Sequence, residues 1–200
     1  MNYLAHLFLS GSDEHVMVGN FIGDYVKGNT WNKFPENIKR GILLHRQIDS
    51  FTDSHPKFRE AKTFFRDEFG LYSGIVIDLI YDHYLAKNWN KYSDLTLRTF
   101  VKRSHAVLLQ NFMYLPVRVQ SFLPFLIQHR RLESYASVNG IVQTLKIMSN
   151  YSSLPAKSNF VKETIQTNNN FFEANFSEFI TDLIKYTNEI QEKIYNETGV

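Results

Sequence analysis

The sequence predicts an all-α protein. Glycine and proline are sparse among the 200 residues, and they fall between segments of helical periodicity. No segment of strand length alternates cleanly between apolar and polar residues, so helix is the better prediction nearly everywhere. A chain of this length is about one domain. We therefore expect a single compact multi-helix domain over residues 1–200.

Capping and stop signals place the helices in order. Asp13 is a suitable cap for the second helix. Pro35 suits a first helical position, and Pro56 pushes His55 out of helical geometry, so the long third segment should break there. Gly70 fits a C-terminal stop. The predicted helices are residues 2–10, 14–27, 35–53, 55–69, 73–88, 93–114, 118–128, 132–149, 157–172 and 177–196.

Composition excludes several functional classes. Without cysteine the chain has no disulfide, thiol nucleophile or thiolate metal site, which suits a reducing cytoplasm. The net charge of +2 is too small to predict a nucleic-acid partner. The start does not resemble a signal peptide, and no uncharged apolar run approaches membrane-spanning length. We expect a cytoplasmic protein that does not bind a membrane.

Acidic and imidazole side chains recur at helical spacing in the first half of the chain. His45, Asp49 and Asp53 are four residues apart in turn, so they project from one face of a helix. Neutral imidazole and ionised carboxylate are ligands that Mn²⁺, Fe²⁺ and Zn²⁺ accept. Arg46, beside His45, could hold a phosphate oxygen or pair with a neighbouring acid.

A second acidic cluster lies in a strongly apolar helix. Asp78 and Asp82 repeat the four-residue spacing, and His83 is adjacent to Asp82. Two carboxylates one turn apart raise each other's pKa unless a positive charge lies between them. Asp24 stands in another apolar setting, where neighbouring glycines allow a close approach of the backbone.

Each of these residues also has an ordinary structural explanation. Asp49 could pair with Arg46, Asp53 could cap the turn into Pro56, and Asp78 could bond a neighbouring helix. Because perturbable groups cluster at functional sites, the set as a whole favours metal binding or catalysis. His6, alone among leucines, is expected to be a core histidine.

Two basic groups could meet an acidic partner. The first, on one predicted helix, is Arg98, Lys102 and Arg103, and the second is Arg130 with Arg131. Either could instead be part of a solvated helix face.

The clusters lie in blocks that resemble the acyl carrier protein phosphodiesterases, a divergent branch of the His-Asp metal-dependent phosphohydrolases. The blocks are M1-N-Y-L-A-H-L, G19-N-F-I-G-D-Y-V-K-G28, G41-I-L-L-H-R-Q-I-D-S-F-T-D-S-H-P56 and S73-G-I-V-I-D-L-I-Y-D-H-Y-L-A-K-N-W89. The resemblance continues more loosely around residues 131–140 and 146–151. It implies an all-α fold, in agreement with the periodicity. The His-Asp dipeptide that names the larger superfamily is absent, and the nearest match is the reversed pair Asp82-His83. The ligands of that superfamily therefore cannot be transferred.

The resemblance implies a reaction: hydrolysis of the phosphodiester that joins 4′-phosphopantetheine to the serine of holo acyl carrier protein. It also implies a divalent ion, with Mn²⁺ the first choice and Mg²⁺, Fe²⁺ and Zn²⁺ as alternatives. From the clusters we expect Asp24, His45, Asp49 and Asp82 to hold the metal, with Asp78 or His83 completing the shell. Arg46 would stabilise phosphoryl charge, and His55 or His83 would protonate the leaving serine oxygen. The two basic groups would dock the acidic carrier.

Two other functions fit the same residues. A metal phosphohydrolase of a small nucleotide or phosphate ester would use the same constellation without carrier docking. A non-catalytic helical binding protein would use the acids as a buried polar network and would bind no metal.

Overall fold

A computed structural model describes residues 1–197 as a helical protein in which that part of the chain forms no strand. Six short 3₁₀ turns connect the α-helices. None of the helices in residues 1–197 is long and apolar enough to span a membrane. The helices are α1 (Tyr3–Phe8), α2 (Glu14–Ile22), α3 (Glu36–Ser54), α4 (Pro56–Lys62), α5 (Arg66–Phe69), α6 (Ser73–Lys87), α7 (Leu97–Gln110), α8 (Val117–Gln128), α9 (Arg131–Ser134), α10 (Val138–Tyr151), α11 (Ser158–Thr167) and α12 (Asn169–Glu197).

Helices α2 and α3 cross at close range, and glycine makes the crossing possible. A Cβ on Gly19 would lie 2.0 Å from the carbonyl oxygen of Ile38, and one on Gly41 would lie 2.2 Å from that of Val16. No larger residue fits at either position without moving backbone. The two helices therefore form a rigid base on which the side chains of α3 are presented.

Helix α1 is fixed at its N-terminus by a buried acid of α6. The backbone amides of Leu4 and Ala5 donate to the two carboxylate oxygens of Asp82, at 2.9 and 3.2 Å. Asp82 is completely buried. Its oxygens accept from amides that have no partner within α1. This contact sets where α1 begins and hence where its side chains point.

Helix α6 forms the centre of the core, and the long helix α12 packs on it through aromatic rings. Tyr81 of α6 contacts Phe176 and Phe179 with ring centroids 5.5 and 4.7 Å apart. The Tyr81 hydroxyl donates to the side-chain oxygen of Asn175. The ring-rich composition thus becomes a core of stacked and edge-on aromatic pairs.

Several predicted helices are divided in the structure. Residues 55–69 form α4, a 3₁₀ turn and the single turn α5, and residues 132–149 are split between α9 and α10. Helix α7 begins at Leu97 rather than at residue 93, because the Thr96 side chain caps it. The predicted break at His55–Pro56 is confirmed, and so is the stop at Gly70, whose φ is +52°. Pro124 lies inside α8, which continues past it.

Candidate metal centre

Three side chains from two helices converge beside the α2–α3 crossing. His6 comes from α1, and His45 and Asp49 come from α3. Asp49 Oδ1 lies 3.3 Å from His6 Nε2, and Asp49 Oδ2 lies 3.0 Å from His45 Nε2. The two imidazole rings are stacked with centroids 4.0 Å apart. One ligand atom from each residue can be chosen so that all three lie within 4.8 Å of one another.

His45 is held so that its Nε2 faces acidic groups. Its Nδ1 donates to the backbone carbonyl of Asn20 at 2.8 Å, and Asp24 Oδ1 lies 3.4 Å from Nε2. Burial disfavours the charged ring, but hydrogen bonds to Asp24 and Asp49 outweigh it and raise the pKa of His45 to about 9. Without a metal ion, His45 is an imidazolium at neutral pH.

His6 has the opposite electrostatic character. Its side chain is 3 % exposed, and burial together with the nearby His45 lowers the pKa of His6 to about 4. The ring is therefore neutral at physiological pH and has one nitrogen available as a metal ligand. Of the two stacked rings, His6 can bind a metal without losing a proton, whereas His45 must first lose the proton on Nε2.

Asp49 is the common partner of the centre. Burial would raise its pKa, but the hydrogen bond from His45 and the nearby positive charge of the Met1 ammonium hold the pKa well below the usual range. The α-amino group of Met1 lies 3.6 Å from Asp49 Oδ1 and 3.0 Å from Asp78 Oδ1. Burial opposes the charge on this amine, but Asp78 and Asp49 outweigh it and raise its pKa to about 10. Asp78 therefore lies behind Asp49, linked to it through the ammonium group.

The donor set fits a divalent cation. Two imidazole nitrogens and one carboxylate, which is ionised at any physiological pH, are ligands that Mn²⁺, Fe²⁺ and Zn²⁺ accept. Asp24 is close enough to His45 to add a second carboxylate. The low pKa of Asp49 means that no proton has to be removed from it before a metal binds.

An open cleft of about 530 Å³ leads from solvent to Asp24, His45 and Asp49. Arg46 lies in its wall, and its Nη2 donates to the carbonyls of Val26 and Gly28 at 3.4 and 3.3 Å. Gly23 allows the 3₁₀ turn after α2 to lie against the His45 ring, because a Cβ there would be 2.2 Å from His45 Cγ. The residues that line the cleft include Gly23, Asp24, Lys27, His45, Arg46 and Asp49.

Of the six acids and histidines offered as metal ligands, the structure brings Asp24, His45 and Asp49 together. Asp78 reaches them through the Met1 amine. Asp82 does not join them, because its two oxygens accept from the α1 amides.

The two histidines predicted as proton donors lie elsewhere. His83 Nδ1 donates to the carbonyl of Tyr135, and its ring is buried. His55 caps α4, and its Nε2 lies 3.3 Å from Asp182. His55 is ten residues from His45, which is about 15 Å along the helix axis. Neither ring lines the cleft.

The two predicted basic groups differ in exposure. Arg98, Lys102 and Arg103 are exposed on α7. Arg130 is exposed but paired with Glu133 at 3.2 Å. Arg131 is only 8 % exposed, with its guanidinium 5.0 Å from the centroid of the Phe125 ring. The expectation that Arg131 contributes to an exposed docking face is therefore wrong, since the side chain packs inward.

His6 was missed as a candidate ligand because its partners lie far away in sequence. It has no acid at helical spacing, and only its place in the first family-like block, M1-N-Y-L-A-H-L, could have indicated a role. Gly23 and Asn20 lie in the second such block, where the close packing of the His45 ring could not be seen from spacing alone.

The fold and the centre define a class: an all-α protein with a histidine–carboxylate cluster open to solvent. The family model for acyl carrier protein phosphodiesterase matches residues 1–183. A relative from Yersinia pestis named acyl carrier protein phosphodiesterase is 35% identical over 151 residues, 75% of this chain and 78% of its own. One of the same name from Pectobacterium atrosepticum is 37% identical over 150 residues, 74% of this chain and 78% of its own. No solved structure matches the chain significantly. The chain belongs to the acyl carrier protein phosphodiesterase family.

Proposed function

We propose that the protein is a metal-dependent phosphodiesterase that releases 4′-phosphopantetheine from holo acyl carrier protein and leaves the apo carrier. The observation that carries this proposal is the convergence of His6, His45 and Asp49, of which His45 and Asp49 line a cleft walled by Arg46, in a chain of this family. A cytoplasmic location follows from such a substrate.

The metal would be held by His6 Nε2, His45 Nε2 and the Asp49 carboxylate, with Asp24 as a further ligand from the cleft side. Mn²⁺ is our first choice, with Mg²⁺, Fe²⁺ and Zn²⁺ as alternatives. When bound, such an ion supplies a water of lowered pKa and neutralises phosphoryl charge. Asp78 supports Asp49 from behind through the Met1 ammonium, and Asp82 positions α1.

Arg46 is the residue placed to bind the phosphodiester. A guanidinium has five N–H donors, and the two long bonds to the carbonyls of Val26 and Gly28 leave donors free to face the cleft. Its planar fork matches two phosphoryl oxygens. Lys27 on the same wall adds positive charge. These residues would orient the phosphorus toward the metal side of the cleft.

The exposed basic residues of α7 are the better docking face for an acidic carrier. Arg98, Lys102 and Arg103 are free of the burial that removes Arg131. Helix α8 follows α7, and the guanidinium of Arg118 in its first turn lies 5.8 Å from the centroid of the Tyr25 ring. Tyr25 is the residue after Asp24. The α7–α8 segment thus extends from the basic face to the rim of the cleft.

The test is mass spectrometry of holo acyl carrier protein incubated with the purified protein and Mn²⁺, with a chelator as control. We expect metal-dependent loss of the phosphopantetheine mass from the carrier. An unchanged carrier combined with metal-dependent hydrolysis of a small phosphodiester would instead identify a small-ester phosphohydrolase. No bound metal and no hydrolysis would identify a binding protein.

A further inference from the structure

Asn20 contacts both imidazoles of the candidate metal centre and is itself completely buried. Its side-chain Oδ1 lies 2.8 Å from His6 Nδ1, and its backbone oxygen lies 2.8 Å from His45 Nδ1. We propose that Asn20 is the positioning residue of the centre, which fixes the tautomer of His6 through its side chain and the orientation of His45 through its backbone. This inference rests on the proposed function.

The orientation of the Asn20 amide is determined by its other partners. Nδ2 donates to the carbonyl of His6 at 2.7 Å and to Ser10 Oγ at 3.0 Å. The Ser10 hydroxyl already donates to the same His6 carbonyl, so toward Asn20 it acts as the acceptor. Because a carbonyl can only accept, the NH₂ group must face this side, and Oδ1 must face the His6 ring.

The His6 tautomer follows from that orientation. Oδ1 only accepts, so Nδ1 of His6 carries the proton and the lone pair is on Nε2. That lone pair faces the Met1 carbonyl at 3.2 Å and Asp49 Oδ1 at 3.3 Å, both of which are acceptors. Three lone-pair donors facing one another are stabilised by a cation between them, which is the arrangement that metal binding requires.

Without the Asn20 side chain, His6 has a better alternative. It could carry its proton on Nε2 and donate it to Asp49, which would place a hydrogen where the metal binds. His45 would keep its anchor, because a substitution at position 20 leaves the backbone carbonyl in place. We therefore expect the tautomer to change at His6 and not at His45.

The test combines the side-chain tautomers, measured by ¹⁵N NMR on the metal-free protein, with titration by Mn²⁺ alone. In wild type we expect the Nδ1–H tautomer at His6. Asn20→Ala should convert His6 to the Nε2–H tautomer, leave the His45 Nδ1–H in place and weaken Mn²⁺ binding by about 10- to 100-fold. Asn20→Asp keeps an oxygen that accepts from Nδ1, and with a proton on its other oxygen it still donates to the His6 carbonyl, so it should restore the Nδ1–H tautomer.

Ser10→Ala is the matched control, because it removes a hydrogen bond from the Asn20 NH₂ group but leaves Oδ1 facing the ring. It should bind Mn²⁺ with wild-type affinity. An Nε2–H tautomer of His6 in wild type, or wild-type Mn²⁺ affinity in Asn20→Ala, would overturn the positioning role of Asn20. Neither result would overturn the metal centre. Should Asn20→Ala fail to fold, the wild-type tautomer and Asn20→Asp decide the question. Failure of the wild-type protein to bind Mn²⁺ would overturn the metal centre itself, even with the expected tautomer.

Discussion

Asp49 is the single residue on which the charge balance of the centre depends. It contacts His6, His45 and the Met1 ammonium, and the hydrogen bond from His45 and the charge of the ammonium keep it ionised. An amide at this position would leave the two positive groups without their shared anion and would replace the strongest metal ligand with a weak one.

We therefore expect Asp49→Asn to weaken Mn²⁺ binding by at least about 100-fold and to abolish turnover. This loss is larger than the usual effect of removing a residue that only hydrogen-bonds a ligand. The change is checked by Mn²⁺ titration and by the carrier assay. Asp53→Asn, one turn further along α3 at an exposed position, is the control and should leave both quantities unchanged. Equal affinity in the two variants would show that α3 does not provide the ligand.

Asp82 gives a prediction for stability against pH. Burial raises the pKa of Asp82 to about 7 from its ordinary 3.8, although the amides of Leu4 and Ala5 oppose the rise. The folded state then binds a proton more tightly than the unfolded state. The stability that this group contributes is therefore complete below its ordinary pKa of 3.8 and is lost as the pH rises through its folded pKa of about 7.

The measurement is the melting temperature of Asp82→Asn relative to wild type from pH 4.5 to 8. An Asn cannot ionise, so the difference should move in favour of the variant as pH rises and level off above about 7. A difference that is constant across this range, or that moves against the variant, would mean that Asp82 is ionised throughout.

At the scale of the elements, the α2–α3 crossing determines whether the centre forms at all. A Cβ on Gly41 would lie 2.2 Å from the Val16 carbonyl, which belongs to backbone and cannot rotate away. We expect Gly41→Ala to lower the free energy of unfolding by about 3 kcal/mol or more, as overpacking does. Urea unfolding measures this loss.

Gly74 provides the matched control in α6. A Cβ there would meet only the end of the Lys62 side chain, 3.8 Å away. Gly74→Ala should be neutral or stabilise by up to about 1 kcal/mol, since alanine favours helix. Similar losses in the two variants would mean that the crossing is not specifically tight.

The elements also show how far the sequence could predict the site. The spacing of His45 and Asp49 correctly placed both on one face of α3, because that relation is local. Asp78 and Asp82 have the same spacing, yet Asp82 bonds amides of α1 that lie 77 and 78 residues away. Which acid faces a ligand and which caps a helix depends on tertiary packing. The same dependence hid His6, whose partner Asp49 lies on another helix.

For the whole molecule, the proposed catalytic cleft and the proposed basic docking face on α7 are separate surfaces. The double substitution Lys102→Glu, Arg103→Glu should raise KM for the acidic carrier and reduce its salt dependence, because it removes attraction between the two surfaces. Its kcat, and its rate on a small phosphodiester, should remain at the wild-type values. Steady-state kinetics at two salt concentrations measure these quantities.

Lys146→Glu with Lys185→Glu is the matched control, since it makes the same change in net charge at exposed positions of α10 and α12. It should leave KM close to wild type. An equal rise in KM for both double variants would indicate a general effect of net charge, and salt-insensitive kinetics would argue against any basic docking face.

The most direct test of the central claim is the anomalous difference map of crystals grown with Mn²⁺. We predict a peak within coordination distance of His6 Nε2, His45 Nε2 and an Asp49 oxygen. A peak held by Asp78 and Asp82 instead, or none at this cluster in crystals of protein that binds Mn²⁺, would contradict it.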